Sequence, residues 1–422
     1  MNNINASIIT IGDELLIGQT IDTNSAFIAQ ELNKAGVWVH RRLAVGDMYD
    51  DIWNALEEEG KRSQIVIITG GLGPTADDIT KPLLCKYFGG TLVVNEQVLE
   101  HVKYLFEKVF RRPGALIERN LKQAEVPDVC TVLHNERGTA PGMMFGPQPN
   151  GTVYFSLPGV PHEMRGLILK EVIPRIKTLF RLPVILHRTL LTAGIGESML
   201  AERIKDYEES LPASIKLAYL PNFGMVRLRL TTQGDDPTLL EQTLQPLFEK
   251  LQEAVKEYLV TSEDEGLEKV VGQILLEKNK TMGTAESCTG GYIAHLITSI
   301  PGASAYFKGT VVSYANEIKE NVLDVSGSTL QTEGAVSETT VTEMAKGALN
   351  LLQTDYVLAV SGIMGPDGGS TEKPVGTVWI AAAGRDKTET LQLNLRFDRI
   401  RNIEMTAMQA LNFLRKFILA NS

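Results

Sequence analysis

The sequence predicts an α/β protein in which strands and helices alternate along most of its 422 residues. Short apolar runs alternate with amphipathic segments, as expected for a mostly parallel sheet covered by helices. Residues 63–69 are almost continuously apolar, which is typical of a strand buried on both faces. This run leads into a glycine-rich loop at residues 70–75, and a second order of strand, polar turn and helix follows at residues 281–299.

The first predicted domain covers residues 1–178. Its predicted elements are strand 6–11, helix 25–34, strand 37–45, helix 50–62, strand 63–69, strand 152–157 and helix 163–179. Asn24 precedes the first helix, where an asparagine side chain can accept from the N–H groups of the first turn. We therefore expect a doubly wound sheet in which Asn24 caps a helix, and we expect Asn24 to be a substrate-binding residue as well.

The second predicted domain covers residues 182–260 and has a different pattern. Its predicted elements are strand 185–192, helix 197–209, strands 215–220 and 225–232, and helix 239–258, with the strand pair turning at Pro221 and Asn222. This order predicts a small α+β module. The charged residues 261–265 are predicted to form a linker.

The third predicted domain covers residues 264–422 and returns to an α/β pattern. Its predicted strands are 281–285, 305–313, 356–361, 377–383 and 389–397. Its predicted helices are 266–278, 291–299, 317–323, 338–352 with Ser337 as cap, and 402–419.

Composition and charge limit the classes of function. The chain is 43 % hydrophobic and 22 % charged, which is ordinary globular composition and excludes a mainly disordered or fibrous protein. Its net charge of −10 provides no global basic field for a nucleic-acid backbone. The three cysteines form no CxxC pair, which argues against a disulfide framework or a zinc ribbon. We expect a cytoplasmic protein without a membrane span.

The loop that follows the buried strand is the first candidate binding site. A strand, a glycine-rich turn and a helix together present backbone N–H groups that suit a phosphate. The predicted phosphate contacts are Gly70, Gly71, Gly73 and Thr75, and Asp77 and Asp78 could hold Mg²⁺ beside the phosphate. A tight turn with an aspartate cap is an equally good interpretation of the same residues.

Several long motifs of the chain resemble known sequences. The segments TGGLGPTADD at 69–78, GDELL at 12–16, TNS at 23–25 and LPGVPHEM at 157–164 resemble the molybdopterin-binding domain family. With the C-terminal motifs described below, the whole chain resembles the competence/damage-inducible protein A family, CinA. The resemblance implies an N-terminal molybdopterin-binding-like three-layer domain, a KH-like middle domain and a C-terminal nicotinamide-nucleotide amidase domain. It further implies ADP-ribose hydrolysis in the first domain and deamidation of nicotinamide mononucleotide in the last.

The segment TAESCTGG at residues 284–291 is the second candidate site. The hydroxyls of Ser287 and Thr289, with N–H groups near Gly290 and Gly291, could hold a phosphate or an oxyanion. A serine or threonine helix cap is the alternative interpretation of this segment.

Ser304 and Lys319 form the third candidate site, separated by one short strand. A serine hydroxyl needs a base, and a buried lysine with a lowered pKa can serve as one. Spacing alone is weak support, since a turn serine and a solvated lysine would look the same. The family resemblance implies a Ser–Lys dyad here, with Ser304 as nucleophile, Lys319 as base, and Tyr314 and Asn316 beside them. The single histidine of the third domain, His295, makes a histidine triad improbable.

Two further segments of the third domain are candidate binding sites. Ser361, Gly362 and Gly365 begin a glycine-rich loop that could approach a phosphate or ribose, or could simply be a long hairpin connection. Its Met364 stands where the family pattern often has alanine. Among the arginines of residues 396–401, the resemblance favours Arg401 as a phosphate contact.

The sequence leaves three classes of function open. The first is a two-activity pyridine-nucleotide hydrolase, with a metal-dependent N-terminal pyrophosphatase that uses Asp13, Glu14, Asp77 and Asp78, and a metal-independent C-terminal amidase. The second is a non-catalytic pterin- or nucleotide-binding first domain. The third is a factor for DNA uptake or damage. We expect small nucleotide substrates, a homodimer and no nucleic acid, since Glu197 in residues 194–197 would repel phosphate in a G-x-x-G loop.

Overall fold

The computed structural model describes residues 4–75, 78–109 and 118–421 of the chain. It confirms the predicted mixed α/β class. The chain divides into two compact units, Met1–Leu186 with Gln233–Leu240 and His187–Thr232 with Glu241–Ser422. In the part of the chain that is described, no helix has the length and apolar character needed to cross a membrane.

The N-terminal α/β region contains eight strands and eight α-helices among its described residues. In chain order they are β1 Asn5–Ile11, α1 Asp13–Leu16, α2 Thr23–Lys34, β2 Trp38–Val45, α3 Tyr49–Arg62, β3 Ile65–Thr69, α4 Thr80–Tyr87, β4 Leu92–Val94, α5 Glu96–Tyr104, α6 Glu118–Leu121, β5 Glu125–Pro127, β6 Thr131–Leu133, β7 Gly142–Phe145, β8 Val153–Leu157, α7 Pro161–Leu167 and α8 Ile173–Leu179.

Six of these strands form one twisted sheet in the order β2-β1-β3-β8-β7-β6. Strands β2, β1, β3 and β8 are parallel, whereas β7 and β6 are antiparallel additions at one edge. All five residues of β3 are buried, as the apolar run predicts. Apolar residues of α2 and α7 pack on one face and those of α3 and α4 on the other, which gives three layers.

The middle region is an α+β module. Its elements are β9 Val184–Ala193, α9 Glu197–Arg203, α10 Lys205–Glu209, β10 Lys216–Asn222, β11 Met225–Gly234, α11 Pro237–Ala254 and β12 Leu259–Thr261. The strands form a sheet in the order β10-β11-β9-β12. The predicted single helix 197–209 is interrupted at Ile204.

The C-terminal α/β region is built on a five-stranded sheet. Its elements are α12 Leu267–Glu277, β13 Met282–Glu286, α13 Tyr292–Thr298, β14 Phe307–Val312, α14 Asn316–Leu323, α15 Gly327–Thr332, α16 Glu338–Leu352, β15 Tyr356–Gly362, β16 Thr377–Gly384, β17 Thr388–Asn394 and α17 Arg399–Ala420. The sheet order is β14-β13-β15-β16-β17, with the first three strands parallel. Helices α12, α13 and α17 contribute to the core on one face and α16 to the core on the other.

Two further local predictions are wrong. The hairpin between β10 and β11 turns at Phe223 and Gly224, whose φ values are +45° and +75°, while Asn222 still pairs with Met225. Helix α2 is capped by Asp22, whose carboxylate accepts from the Ser25 N–H at 2.9 Å, so the helix begins before Asn24. An aspartate carboxylate caps a helix as well as an asparagine amide does, and in this helix Asp22 is the cap.

Candidate active site

The carboxyl ends of β13, β14 and β15 meet at one edge of the C-terminal sheet. Because these strands are adjacent and parallel, the loops that follow them converge. A cavity of about 190 Å³ lies there. Its lining residues are Ser287, Cys288, Tyr314, Asn316, Lys319, Ala335, Val336, Ser361, Gly362, Met364 and Arg399. Among these described residues none is acidic, and Lys319 and Arg399 give the cavity a positive character.

Lys319 is the central polar group of the cavity. Its side chain is only 1 % exposed, and its ammonium Nζ lies 3.0 Å from Ser287 Oγ. The same ammonium donates to the backbone carbonyls of Ser313 at 2.6 Å and Tyr314 at 3.4 Å. Burial lowers the pKa of Lys319 below its ordinary value, because the charged form loses its hydration. The Ser287 hydroxyl is thus hydrogen-bonded to a lysine, and the ammonium group of that lysine releases its proton more readily than an exposed lysine does.

The structure corrects the predicted partner of Lys319. Ser304 lies in a short 3₁₀ turn before β14, is exposed, and does not line the cavity. Lys319 lies beyond the other end of the same strand. The six extended residues of β14 span about 20 Å at about 3.3 Å each, so Ser304 and Lys319 lie toward opposite ends of this strand. The structure therefore does not bring Ser304 and Lys319 together as predicted, and the serine hydroxyl that lies beside Lys319 is that of Ser287.

The turn after Ser287 is organised by a carboxylate of the protein itself. Glu286 is fully buried and accepts from Thr289 Oγ1 at 2.7 Å and from the Gly291 N–H at 3.0 Å. The N–H groups that were predicted to hold a substrate anion at Gly291 and in the first turn of α13 are thus already used. Thr289, Gly290 and Gly291 line a neighbouring cavity of about 400 Å³ instead of the one around Lys319.

The glycine-rich loop after β15 forms another wall of the cavity. Ser361 is buried and donates its hydroxyl to the Ala335 carbonyl at 2.6 Å, so it braces the wall. A Cβ on Gly362 would lie 2.7 Å from Val378 Cγ2, which explains a glycine at this position. Met364 is buried in the lining, whereas Gly365 lies just outside it and offers its carbonyl to Arg399.

Arg399, and not Arg401, supplies the guanidinium of the cavity. Arg399 donates to the Gly365 carbonyl at 2.8 Å and to the exposed Tyr314 hydroxyl at 2.9 Å. Arg401 lies over the Phe397 ring at 4.9 Å and does not line the cavity. The arginine that lines the cavity is therefore not the predicted Arg401 but Arg399, two residues earlier in α17. Tyr314 and Asn316 line the cavity, and their predicted roles toward a substrate stay predictions.

The glycine-rich loop of the N-terminal region has the predicted position at the carboxyl ends of β1, β3 and β8. Gly70 and Gly71 have φ values of +119° and +62°. A Cβ on Gly70 would lie 2.3 Å from the Ile11 carbonyl oxygen, and one on Gly71 would lie 2.1 Å from Thr80 Oγ1. Gly159, after β8, packs on the Gly70 backbone. The loops thus pack so closely that only glycine permits their backbone geometry, and we call Gly70, Gly71 and Gly159 the glycine cradle.

Asp78 braces this loop. Its two carboxylate oxygens accept from the Gly73 N–H at 2.7 Å and the Thr75 N–H at 2.8 Å, and from the Thr75 hydroxyl. Asp13, in α1, exchanges backbone and side-chain hydrogen bonds with Asp47. Within residues 4–75, 78–109 and 118–421, no three His, Cys, Asp or Glu side chains form a group that could hold a metal ion. Asp77 lies outside the described residues, and the metal role predicted for Asp13, Glu14, Asp77 and Asp78 stays a prediction.

Asn24 reaches into the same cradle once Asp22 has taken the helix cap. Its amide nitrogen donates to the Gly159 carbonyl at 2.7 Å and lies 3.4 Å from Thr69 Oγ1. Its carbonyl oxygen is buried and has no hydrogen-bond partner among the described residues. Asn24 Oδ1 is thus a polar atom that could accept a hydrogen bond from a ligand, as the prediction of Asn24 as a binding residue requires.

Sequence reasoning missed Glu286 and Arg399 as parts of the C-terminal site. A glutamate at the end of a strand ordinarily indicates a solvated charge, and nothing in the one-dimensional pattern shows that Glu286 is buried. Arg399 directly follows Asp398, which accepts from the Arg401 N–H at 3.0 Å and caps α17. Recognising Asp398 as the cap would have placed Arg399 in the first turn, beside the glycine-rich loop.

Comparison with known domain families divides the chain into three matches. Residues 264–418 match the CinA C-terminal domain. Residues 7–178 match the family described as "Probable molybdopterin binding domain", and residues 187–261 match the damage-inducible protein CinA KH domain.

Full-length relatives have the same extent. A CinA-like protein of Cytophaga hutchinsonii is 49 % identical over 414 residues, covering 98 % of each chain, and one of Flavobacterium psychrophilum is 47 % identical, covering 99 % of each.

Solved structures match parts of the chain. The protein CinA from Thermoplasma acidophilum is 35 % identical with a TM-score of 0.37, covering 43 % of this chain and 100 % of its own. The competence damage-inducible protein A from Klebsiella pneumoniae is 36 % identical with a TM-score of 0.36, covering 37 % of this chain and 97 % of its own. From the full-length relatives and the three domain matches we conclude that the chain belongs to the CinA family.

Proposed function

We propose that the C-terminal region hydrolyses a carboxamide, with Ser287 as nucleophile and Lys319 as its base. The observation that carries the proposal is the 3.0 Å hydrogen bond between Ser287 Oγ and Lys319 Nζ inside a cavity. A serine hydroxyl is a weak nucleophile until a base removes its proton. Lys319 is suited to that role because burial favours its neutral form.

The reaction proceeds in two steps that balance. Ser287 Oγ attacks the carboxamide carbon while Lys319 accepts the hydroxyl proton, and the tetrahedral intermediate expels ammonia after Lys319 returns that proton to nitrogen. A water molecule then attacks the Ser287 ester, again through Lys319. The carboxylic acid leaves and the serine is restored. The N–H group of Cys288, which directly follows the nucleophile, holds the oxyanion in both steps.

The substrate we propose is nicotinamide mononucleotide, which gives nicotinate mononucleotide and ammonia. The cavity presents Arg399 at its wall and no acidic side chain among its described lining residues, so it favours an anionic substrate. Arg399 has a planar fork of five N–H donors, and two of its nitrogens already bond Gly365 and Tyr314. A phosphate can exchange with these partners and be held by two parallel bonds.

The test is ammonia release from nicotinamide mononucleotide by the full chain. We expect turnover in the wild type, loss of turnover in Ser287→Ala and Lys319→Ala, and near-normal turnover in Ser304→Ala. Nicotinamide riboside, which lacks the phosphate, serves as the matched substrate control. Absence of ammonia from the wild type with either substrate would contradict the proposal.

For the N-terminal region we propose binding of a nucleotide phosphate in the glycine cradle, with ADP-ribose pyrophosphate hydrolysis as the activity. The specific observation is the cradle itself, with the unpartnered Asn24 oxygen beside it. The requirement for a divalent cation stays a prediction. Release of AMP from ADP-ribose, assayed with and without chelator, tests both. Binding without turnover under any divalent ion would favour the non-catalytic alternative, in which the cradle only holds a pterin or nucleotide.

We also propose that the chain acts as a homodimer, which sedimentation equilibrium of the full chain tests. A competence or DNA-damage role is the alternative that the family names leave open. It gains support only if nucleic acid binds the chain at physiological salt.

A further inference from the structure

Glu286 is a fully buried carboxylate that no step of the proposed reaction uses. Five neutral donors surround it. They are Thr289 Oγ1, Gly291 N and Ile293 N on one oxygen, at 2.7, 3.0 and 3.1 Å, and Ala294 N and Thr284 Oγ1 on the other, at 2.8 and 3.3 Å. Burying a carboxylate is costly unless its oxygens are hydrogen-bonded, and here they are.

The N–H groups around Ser287 can be assigned one by one. Ser287 N donates to the Val360 carbonyl at 3.0 Å, and Gly290 N donates to the Ser287 carbonyl at 3.2 Å. The N–H groups that follow at Gly291, Ile293 and Ala294 bond Glu286. Within the described residues, no backbone carbonyl accepts from the N–H of Cys288 or of Thr289.

These two N–H groups directly follow the proposed nucleophile, and within the protein both interact with the buried sulfur of Cys288. A thiol sulfur is a weak acceptor, so a substrate oxyanion can replace it. In serine hydrolases the N–H of the residue after the nucleophile is a recurrent oxyanion donor, because it lies next to the carbon under attack. Ser287 and Cys288 both line the cavity. The thiol of Cys288 is not a competing nucleophile, since burial raises its pKa to about 12.

We propose that Glu286 is a positioning residue for the oxyanion site. Its carboxylate accepts from the Thr289 hydroxyl and from three later N–H groups, and so fixes the turn that holds the Cys288 N–H beside Ser287 for the substrate oxyanion. The left-handed φ values of Gly290 and Gly291, +61° and +96°, let the turn wrap around the carboxylate. This role rests on the proposed function, because it requires Ser287 as nucleophile.

The role also explains where the substrate phosphate does not bind. A helix start normally attracts anions, but the start of α13 is already neutralised by Glu286. The substrate anion must therefore be held elsewhere, and Arg399 is the guanidinium that lines the cavity. Glu286 thus occupies the start of α13, so that the N–H group after Ser287 serves the oxyanion and Arg399 serves the substrate phosphate.

Glu286→Gln in the full chain is the direct test. Glutamine has the same shape, but its NH₂ group would face N–H donors, so the turn loses part of its support. We expect kcat for nicotinamide mononucleotide to fall about 10- to 1000-fold, the range seen when an oxyanion donor is lost, with KM changed less than about threefold. Acylation of Ser287 by p-nitrophenyl acetate should fall by a similar factor, since that ester needs the oxyanion donors but no phosphate contact.

Asp355→Asn is the matched control. Asp355 accepts from Thr281 N and Thr281 Oγ1, each at 2.9 Å, and from Lys280 Nζ at 3.0 Å, beside the amino ends of the same strands. This substitution should lower thermal stability while leaving kcat and the acylation rate unchanged. Glu286→Asp keeps the charge on a shorter side chain and should restore part of kcat, which also covers the case in which Glu286→Gln does not fold.

Each outcome decides whether Glu286 positions the oxyanion site or only stabilises the fold. Normal kcat in Glu286→Gln, a rise in KM alone, or an equal loss of kcat in Asp355→Asn would overturn the positioning role. If Glu286→Gln does not fold, Glu286→Asp decides instead. The positioning role is overturned if the kcat of Glu286→Asp is normal, and also if it is no higher than the kcat of Ser287→Ala. A wild type that neither releases ammonia nor is acylated refutes the proposed function itself, and a wild type acylated only by the ester leaves the positioning role testable by acylation alone.

Discussion

Ser287→Ala removes one hydroxyl from the cavity wall and tests the identity of the nucleophile. The fold should tolerate it, because the substitution costs one buried hydrogen bond, about 1 kcal/mol, and Lys319 still donates to the Ser313 carbonyl at 2.6 Å. For a unit of this size the melting temperature should fall by only about 2–4 °C. The rate of deamidation should fall by at least about 10³-fold, since loss of a nucleophile usually costs several orders of magnitude.

Ser304→Ala is the matched comparison, because it removes the same hydroxyl from the other candidate serine. Ser304 is exposed, so Ser304→Ala should change neither stability nor deamidation by a measurable amount. Steady-state ammonia release and circular-dichroism melting of the three proteins provide both quantities. The reasoning fails if Ser287→Ala keeps more than about a tenth of wild-type kcat, or if Ser304→Ala is the variant that loses it.

Three further predictions concern protons, phosphate and metal. Because burial lowers the pKa of Lys319 and the neutral amine is the active form, kcat/KM should rise with pH through that lowered pKa and level off below the ordinary lysine value of about 10.4, whereas a flat profile from pH 6 to 10 would exclude Lys319 as the base. The unfolded chain binds this proton more tightly, so stability should also rise with pH between the two pKa values, and chemical denaturation of Lys319→Met should lack that slope. Arg399→Ala should raise KM for nicotinamide mononucleotide about 10- to 100-fold and leave nicotinamide riboside unaffected, while Arg401→Ala should change neither; steady-state kinetics that show the reverse would return the phosphate to Arg401. Asp78→Asn should weaken ADP-ribose binding as well as turnover, because the carboxylate braces the Gly73 and Thr75 N–H groups, and calorimetric binding at wild-type strength with lost turnover would instead support a metal role for Asp78.

Long, strongly patterned elements of the fold were predictable from sequence, whereas short ones were not. Four consecutive apolar residues, Ile65–Ile68, predict the buried strand β3, and Ser337 at its start predicts the amphipathic helix α16. Strands β4 to β7 have three or four residues each, which is too short for an alternation of polar and apolar side chains to emerge. Their positions depend on tertiary packing that a local pattern does not contain.

The roles of individual polar residues were harder to predict, because each has several compatible partners. Asn24 was a reasonable helix cap from its position, but Asp22 competes for the same N–H groups and takes them. Asn24 is then free to bond the Gly159 carbonyl, 135 residues away in sequence. Only the three-dimensional fold shows which of two good caps is used, and which is left for the binding cradle.

The error at Ser304 could have been avoided with one rule that needs no structure. In parallel sheets the reactive groups gather at the carboxyl ends of strands, and Ser304 precedes its strand, whereas Ser287 follows β13 and Lys319 follows β14. The choice between Arg399 and Arg401 has the same form. Residues two positions apart on an α-helix point in directions about 200° apart around its axis. When Arg399 faces the cavity, Arg401 therefore faces away from it. Position relative to strand ends and helix starts therefore identifies this site better than spacing along the chain.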